Sequence, residues 1–232
     1  MNPIVLIPTP VVLIATHQRQ GITSKNIDSL LKQSLVPQIV LGVSDPNEAV
    51  YYKREYPMLE VYCCNNAPLG NKWQTGVMIA RKFLPNPLII NGSDDILGRN
   101  FVEKACELLN GDEYDFIGLN QWYVLHKKTF YHLKYNASIP LGGGRCYSRR
   151  LLKAINFQVF DVARDSGLDD FGYKASQKYK TLITGDLPIV SIKGDWVMLN
   201  DFQRFHNHRN CTILSRTKDI SILNDLIDYE DD

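Results

Sequence analysis

The stretch Leu88-Ile89-Ile90-Asn91-Gly92-Ser93-Asp94-Asp95-Ile96-Leu97 decides how this chain is read. An apolar run halts at the small residue Gly92, and two adjacent carboxylates, Asp94 and Asp95, follow at once. Such a run suits a strand buried on both faces, which delivers its two acids to the carboxyl edge of a sheet, where α/β enzymes place ligands. Paired carboxylates on a short turn suit a hard divalent cation, Mg²⁺ or Mn²⁺, which can in turn hold a diphosphate. The plainer reading is an acidic turn in which the second aspartate caps the next helix.

Working outward, strand and helix alternate. Residues 11–15 are a continuous buried-strand run, and 16–21 a polar loop. Ile27, Leu30, Leu31 and Leu35 fall at helical spacing, with Thr23 or Ser24 as cap and Pro37 as stop. Residues 38–43 read as the second strand, ending in the turn Ser44-Asp45-Pro46-Asn47-Glu48. Strand 59–63, loop 65–70, helix 73–83, strand 88–90 and helix 101–109, capped by Asn100, complete the first half. This order implies a doubly wound, mostly parallel central sheet flanked by helices in a single α/β domain over residues 1–232. The second half is less regular. Strands are expected at 116–119, around Val124 and at 187–192, and helices near Ser148 and over 169–179. A glycine-rich loop, 141–145, precedes the first of these helices, and the acidic end of the chain reads as solvated.

Composition narrows the class. With 232 residues, 44% of them hydrophobic, the chain can bury a full core. A formal net charge of +1 supplies no electrostatic argument for a nucleic-acid partner. Five cysteines without a CxxC spacing indicate neither a zinc site nor a disulfide framework, and point to a reducing, cytoplasmic setting. Asn91, Asn136 and Asn210 open Asn-x-Ser/Thr triplets, which matter only in a secreted chain. The apolar stretch 4–15 is interrupted by Pro8 and Pro10 and lacks a basic flank, so it reads as strand and not as a signal or a membrane span.

Five segments, in order, resemble the family 2 glycosyltransferases of GT-A fold. Val12-Leu13-Ile14-Ala15-Thr16-His17-Gln18-Arg19 is similar to the family's first strand and its Thr-aromatic-Asn-Arg ending. Ile27-Asp28-Ser29-Leu30-Leu31-Lys32-Gln33-Ser34 is similar to its Leu-x-Ser-Leu-Leu-x-Gln-Thr helix, and Leu41-Gly42-Val43-Ser44-Asp45 to its second strand. Residues 65–77 resemble the Asn-x-Gly…Asn-x-Gly segment, and residues 89–97 the metal-binding motif. The likeness spans residues 11–110, continues more faintly to about 195, and is absent beyond. Three positions depart from the pattern: Gly92 replaces the first acid of Asp-x-Asp, Ser44 replaces one of two acids, and Gln74 stands where the family has Asn.

The resemblance implies a nucleoside diphosphate sugar donor bound by residues 11–110, an acceptor and catalytic half over 111–200, and a tail from 201 to 232. Thr16, His17 and Arg19 would meet the nucleobase and ribose, Asp45 would bond the same groups, and Gly70 would let the backbone approach the nucleotide. Lys72 and Arg145 would pair with phosphate. Asp94 and Asp95 would hold Mn²⁺ or Mg²⁺, with Asp94 also against the donor and His206 or His208 completing the metal shell. Asp169 and Asp170, opening a helix, match the family's acidic pair, with Asp170 as the general base and Asp169 able to exchange roles with it. Either acid also suits a helix N-terminus. Trp122 and Tyr123 offer a stacking face for an acceptor sugar, or pack the core.

The expected activity is metal-dependent transfer of a sugar to a glycan or other hydroxyl-bearing acceptor, with inversion. The alternatives are a nucleotidyltransferase of related topology and a sugar- or nucleotide-binding module without turnover.

Overall fold

The computed structural model of the chain describes residues 9–193, 211–219, 221 and 227. The first half is built from β1 (Thr9–Ala15), α1 (Gln20–Leu31), β2 (Gln38–Val43), α2 (Pro46–Glu55), β3 (Glu60–Cys63), α3 (Leu69–Ala80), β4 (Pro85–Gly92), β5 (Asp95–Leu97) and α4 (Phe101–Asn110). Then come β6 (Phe116–Leu119), β7 (Gln121–His126), β8 (Thr129–Tyr135), β9 (Arg145–Tyr147), α5 (Arg149–Ala154), α6 (Leu168–Ser176), β10 (Thr181–Thr184), β11 (Ile189–Lys193) and β12 (Cys211–Thr217).

Among the described residues these strands form two sheets. Seven lie in the order β10-β6-β9-β4-β1-β2-β3. Every pairing in it is parallel except those of β9, which runs antiparallel to both β4 and β6. The centre is dry: Val11, Val12, Leu13, Ile14, Val40, Leu41, Leu88 and Ile89 are fully buried or nearly so. A parallel sheet covered on both faces demands such runs. The other five strands lie in the order β12-β8-β7-β11-β5.

Three features of the first half depart from the sequence expectation. The segment after Ser44 is a helix and not only a turn: Asp45 accepts from the Asn47 amide at 2.8 Å and Pro46 fills the first helical position, a favoured start. Helix α1 begins four residues before Ser24, so neither Thr23 nor Ser24 is its cap; Thr23 is buried and its hydroxyl meets that of Thr16 at 2.8 Å. Asp95 opens a strand and not a helix, because β5 leaves the first sheet and joins the second.

That crossing makes the site. The turn from Gly92 to Asp95 passes between the sheets and is braced from both sides. Asn26 donates to the Gly92 carbonyl at 2.8 Å, and Asn91 to the Asp95 carbonyl at 2.7 Å. Farther along, Gln33 donates to the Gly98 carbonyl at 2.9 Å and accepts from the Val102 amide at 3.2 Å. The glutamine of the Leu-x-Ser-Leu-Leu-x-Gln pattern thus fixes the join between β5 and α4. Gln74 plays a matching part, donating to the Phe157 carbonyl and accepting from the amides of Val159 and Phe160.

A buried acid away from the site ties the second half together. Asp115 accepts from Arg150 Nε at 2.6 Å, Ser148 Oγ at 3.2 Å and the Lys180 amide at 3.3 Å. Burial would push its carboxyl up, but these three donors win and hold it below the ordinary value. A depressed acid contributes stability that is complete above its unfolded pKa, about 4, and is lost as pH falls through the lower folded value. Asp115→Asn should therefore cost about 1–2 kcal/mol at neutral pH, the half-exposed Arg150 keeping the figure modest. The gap between wild type and variant should close below about pH 4, as read by urea titrations at neutral and acid pH.

Candidate active site

A cavity of about 310 Å³ opens beside the acid turn, lined by Asp95, Ser191 and Lys193 on one side and by Asp169 and Asp170 on another. Trp122, Tyr135 and the loop 139–143 complete its wall. The two expected acidic motifs, 75 positions apart in sequence from Asp95 to Asp170, thus face one space.

The loop owes its place to β9. Because β9 is antiparallel, its beginning lies beside the end of β4, where Gly144 donates to the Ile90 carbonyl at 2.8 Å. This brings the glycines between the acids. A β-carbon at Gly142 would lie 2.8 Å from both carboxylate oxygens of Asp169, and one at Gly143 would lie 2.6 Å from Asp95 Oδ2. Consecutive Cα atoms are about 3.8 Å apart, so the two carboxylates stand at most roughly 12 Å from each other. A sugar ring with a reacting group on either side falls within that limit.

Strand β11 sets the opposite wall. Ser191 pairs in register with Asp95, and Lys193, two residues on, shares its face. Ser191 Oγ donates to Asp95 Oδ1. Lys193 Nζ donates to Asp94 Oδ2 at 2.6 Å, while Arg19 stands 3.5 Å from Asp94 Oδ1. Burial, and then the neighbouring Asp94, push the Asp95 carboxyl up; Lys193, Ser191 and Arg19 oppose this without reversing it. Ser191 and Lys193 were not singled out from sequence. Ser191 falls inside the last expected strand, 187–192, and Lys193 one residue past it, so neither carries a distinctive signal.

Whether the acids suit a divalent cation depends on what already touches them. Asp94 is 5% exposed and carries a cation at each oxygen. Gly92 supplies no acid, and a side chain there would meet Asp95 Oδ2 at 2.3 Å. Among the described residues no three His, Cys, Asp or Glu side chains gather as a metal site. As arranged, the donor set does not fit a resident Mg²⁺ or Mn²⁺. His206 and His208 lie outside the described residues.

Several expected contacts take other forms. Arg145 is 2% exposed and spends its guanidinium on protein carbonyls: Nε donates to Leu141 at 2.6 Å, Nη2 to Pro140 at 2.7 Å, and Nη1 to Asp169. It carries the loop and the start of α6 and is not placed for phosphate. Lys72 is fully buried, donating to the Thr16 carbonyl, to Ser44 Oγ at 2.6 Å and to Asn66 Oδ1 at 3.3 Å. Burial lowers its ammonium to about 8. It ties together the segments that follow the first three strands and does not await a phosphate. Gly70 meets protein, not a nucleotide: its amide donates to the Arg164 carbonyl at 2.8 Å, and a β-carbon would lie 1.9 Å from the Asp161 carbonyl. Asp45 is the cap of α2. Thr16 is buried, whereas His17 is exposed at the end of β1 and Arg19 reaches the acid turn. Trp122 lines the cavity, but Tyr123 is stacked between Phe130 and His132 on the other face; Tyr135 supplies the second ring, edge-on to Trp122 at 6.1 Å.

No protein-family profile matches the sequence, and no curated protein does. Solved structures do resemble the fold. Staphylococcus aureus TarS, residues 1–349, aligns with a TM-score of 0.59 at 16% identity over 79% of this chain and 60% of that one. Its complex with UDP-GlcNAc gives 0.59 at 15% over 81% and 59%, and its complex with UDP 0.56 at 17% over 80% and 61%. The chain therefore spans about 60% of those TarS chains. No helix among the described residues is long and apolar enough to cross a membrane. The central, mostly parallel sheet flanked by helices is a glycosyltransferase GT-A-like fold.

Proposed function

We propose that the chain is a glycosyltransferase, moving a sugar from a nucleoside diphosphate sugar to the hydroxyl of a glycan or other acceptor, with inversion at the anomeric carbon. The observation that carries this reading is the single cavity bounded by Asp95 on one wall and by Asp169 and Asp170 on another. Inversion needs a base on the face of the sugar opposite the departing diphosphate. In this reading the diphosphate lies at the acid turn and the acceptor enters past Tyr135 and the loop 139–143. The acceptor oxygen attacks the anomeric carbon, its proton passes to Asp170, and the electron pair of the broken bond leaves on the diphosphate.

Asp170 is the better base of the two. Asp169 has the Arg145 guanidinium 3.9 Å from its carboxylate, so that side chain already has a protein partner in the loop beside it. In this reading His17 and Arg19, which follow β1, meet the nucleotide. TarS was solved with UDP and UDP-GlcNAc, which makes uridine diphosphate sugars the first donors to try.

Release of UDP from a panel of UDP-sugars tests the reading, since water can take the acceptor's place slowly. UDP release that rises on adding acceptor glycans is the expected result. Formation of a nucleotide sugar from UTP and a sugar 1-phosphate, without such release, would make the protein a nucleotidyltransferase instead. Binding of a UDP-sugar with no turnover would leave only a binding module.

A further inference from the structure

The departing diphosphate needs positive charge, and the structure supplies it from side chains. Lys193 is 8% exposed, at the end of β11, and lines the cavity beside Asp95. Its ammonium has three donors, and among the described residues one of them is used, on Asp94. Arg19 holds the other oxygen of that carboxylate and is itself one-fifth exposed. With Asp95 counted, two acids stand against two cations, so the turn is charge-balanced, and Lys193 is the cation of the pair that lines the cavity; a metal-binding turn would instead offer uncompensated carboxylates.

We propose that Lys193, with Arg19 against the same carboxylate, is the cation that receives the donor's diphosphate, and that donor binding needs no divalent metal. The proposal rests on the reading of the cavity as a nucleoside diphosphate sugar site. Asp94 serves as the anchor that holds the ammonium in place. As the bond from anomeric carbon to oxygen breaks, its electron pair moves onto the terminal phosphate oxygen, and a Lys193 N–H donates a hydrogen bond to it. No proton leaves the lysine, because the proton released in the reaction is the acceptor's and goes to Asp170. A preorganised ammonium in a water-poor wall does this without reorganising as charge develops.

Calorimetric titration with UDP, repeated with GDP and dTDP, tests this in excess EDTA and again in excess Mn²⁺. Wild-type affinity for the preferred diphosphate should agree between the two conditions to within about threefold. Lys193→Met should weaken that diphosphate in EDTA by about ten- to a hundredfold, the worth of a charge-assisted hydrogen bond, and leave the bare nucleoside unaffected. Lys193→Arg, which keeps the charge, should retain most of the affinity. Should the methionine variant misfold by circular dichroism, the wild-type comparison and the arginine variant decide alone. Diphosphate binding that appears only with Mn²⁺ overturns the proposal and leaves the glycosyltransferase reading standing. Unchanged diphosphate affinity in a folded Lys193→Met overturns it as well. If no nucleoside diphosphate binds under either condition, both readings fall together.

Discussion

Asp170→Asn should abolish most transfer while the donor still binds. In the proposed reading Asp170 lies on the acceptor side of the cavity, away from the acid turn, so the donor's dissociation constant should stay near the wild-type value. Turnover should fall by about two to four orders of magnitude, the usual contribution of a positioned general base. The amide keeps the shape of the carboxylate and lacks its basic oxygen, which separates proton transfer from binding. Asp169→Asn is the matched comparison, because its carbonyl and not its carboxylate is what Arg145 chiefly holds. A crippled Asp169→Asn beside a near-normal Asp170→Asn would reverse the assignment. If neither variant matters, the base lies elsewhere, and the anomeric configuration of the product, read by NMR, would show whether the reaction inverts at all.

The second large effect concerns stability. Arg145→Ala should cost about 3–5 kcal/mol, because it removes the three hydrogen bonds of a nearly fully buried guanidinium and opens a cavity the size of a side chain. The carbonyls of Pro140, Leu141 and Asp169 converge on one planar guanidinium. A lysine has one nitrogen with which to meet all three, so Arg145→Lys should recover less than half of the loss. Urea denaturation measures this directly, and a loss below about 1 kcal/mol would mean the contacts contribute little net stability. Turnover should fall in both variants ahead of unfolding, since the same side chain locates Gly142 and Asp169 relative to each other.

Much of this organisation is legible in the sequence, and for identifiable reasons. The runs at β1, β2 and β4 are buried on both faces, so their composition announces them. Asp94, Asp95, Asp169 and Asp170 end or begin elements, and the α/β architecture brings element ends of that kind to one edge. Helix α2 escaped notice because only Ala49 and Tyr52 are buried in it, although Asp45 and Pro46 are a recognisable start. Strand β9 is three residues long, and its partners lie 59 positions before it at Leu88 and 31 before it at Phe116. No local pattern encodes such a strand.

The basic residues show a different limit. Lys72 and Arg145 have the type and the position expected of phosphate ligands, yet each is buried and satisfied by protein oxygen. Lys193 lies one position beyond the last expected strand, 187–192, and lines the cavity. A sequence shows where cations stand along the chain, whereas their burial and partners follow from contacts far away in it. The glycines 142–144 are a milder case: flexibility was their visible property, and the space they leave between two carboxylates became evident only with β9 in place.

The seam at the acid turn has a consequence for heat inactivation. On one side the turn continues from β4, an interior strand with β1 and β9 as neighbours; on the other it runs into β5, among the described residues an edge strand whose sole partner is β11 over three residue pairs. Short edge ladders open at lower free energy than interior ones. Warming should therefore release Asp95 from Ser191 while the larger sheet is still closed, and amide hydrogens of β5 should exchange with solvent sooner than those of β4. The protein would then lose turnover at temperatures where its circular dichroism is unchanged and recover it on cooling. A saturating nucleotide that grips the acid turn would bring the two transitions together.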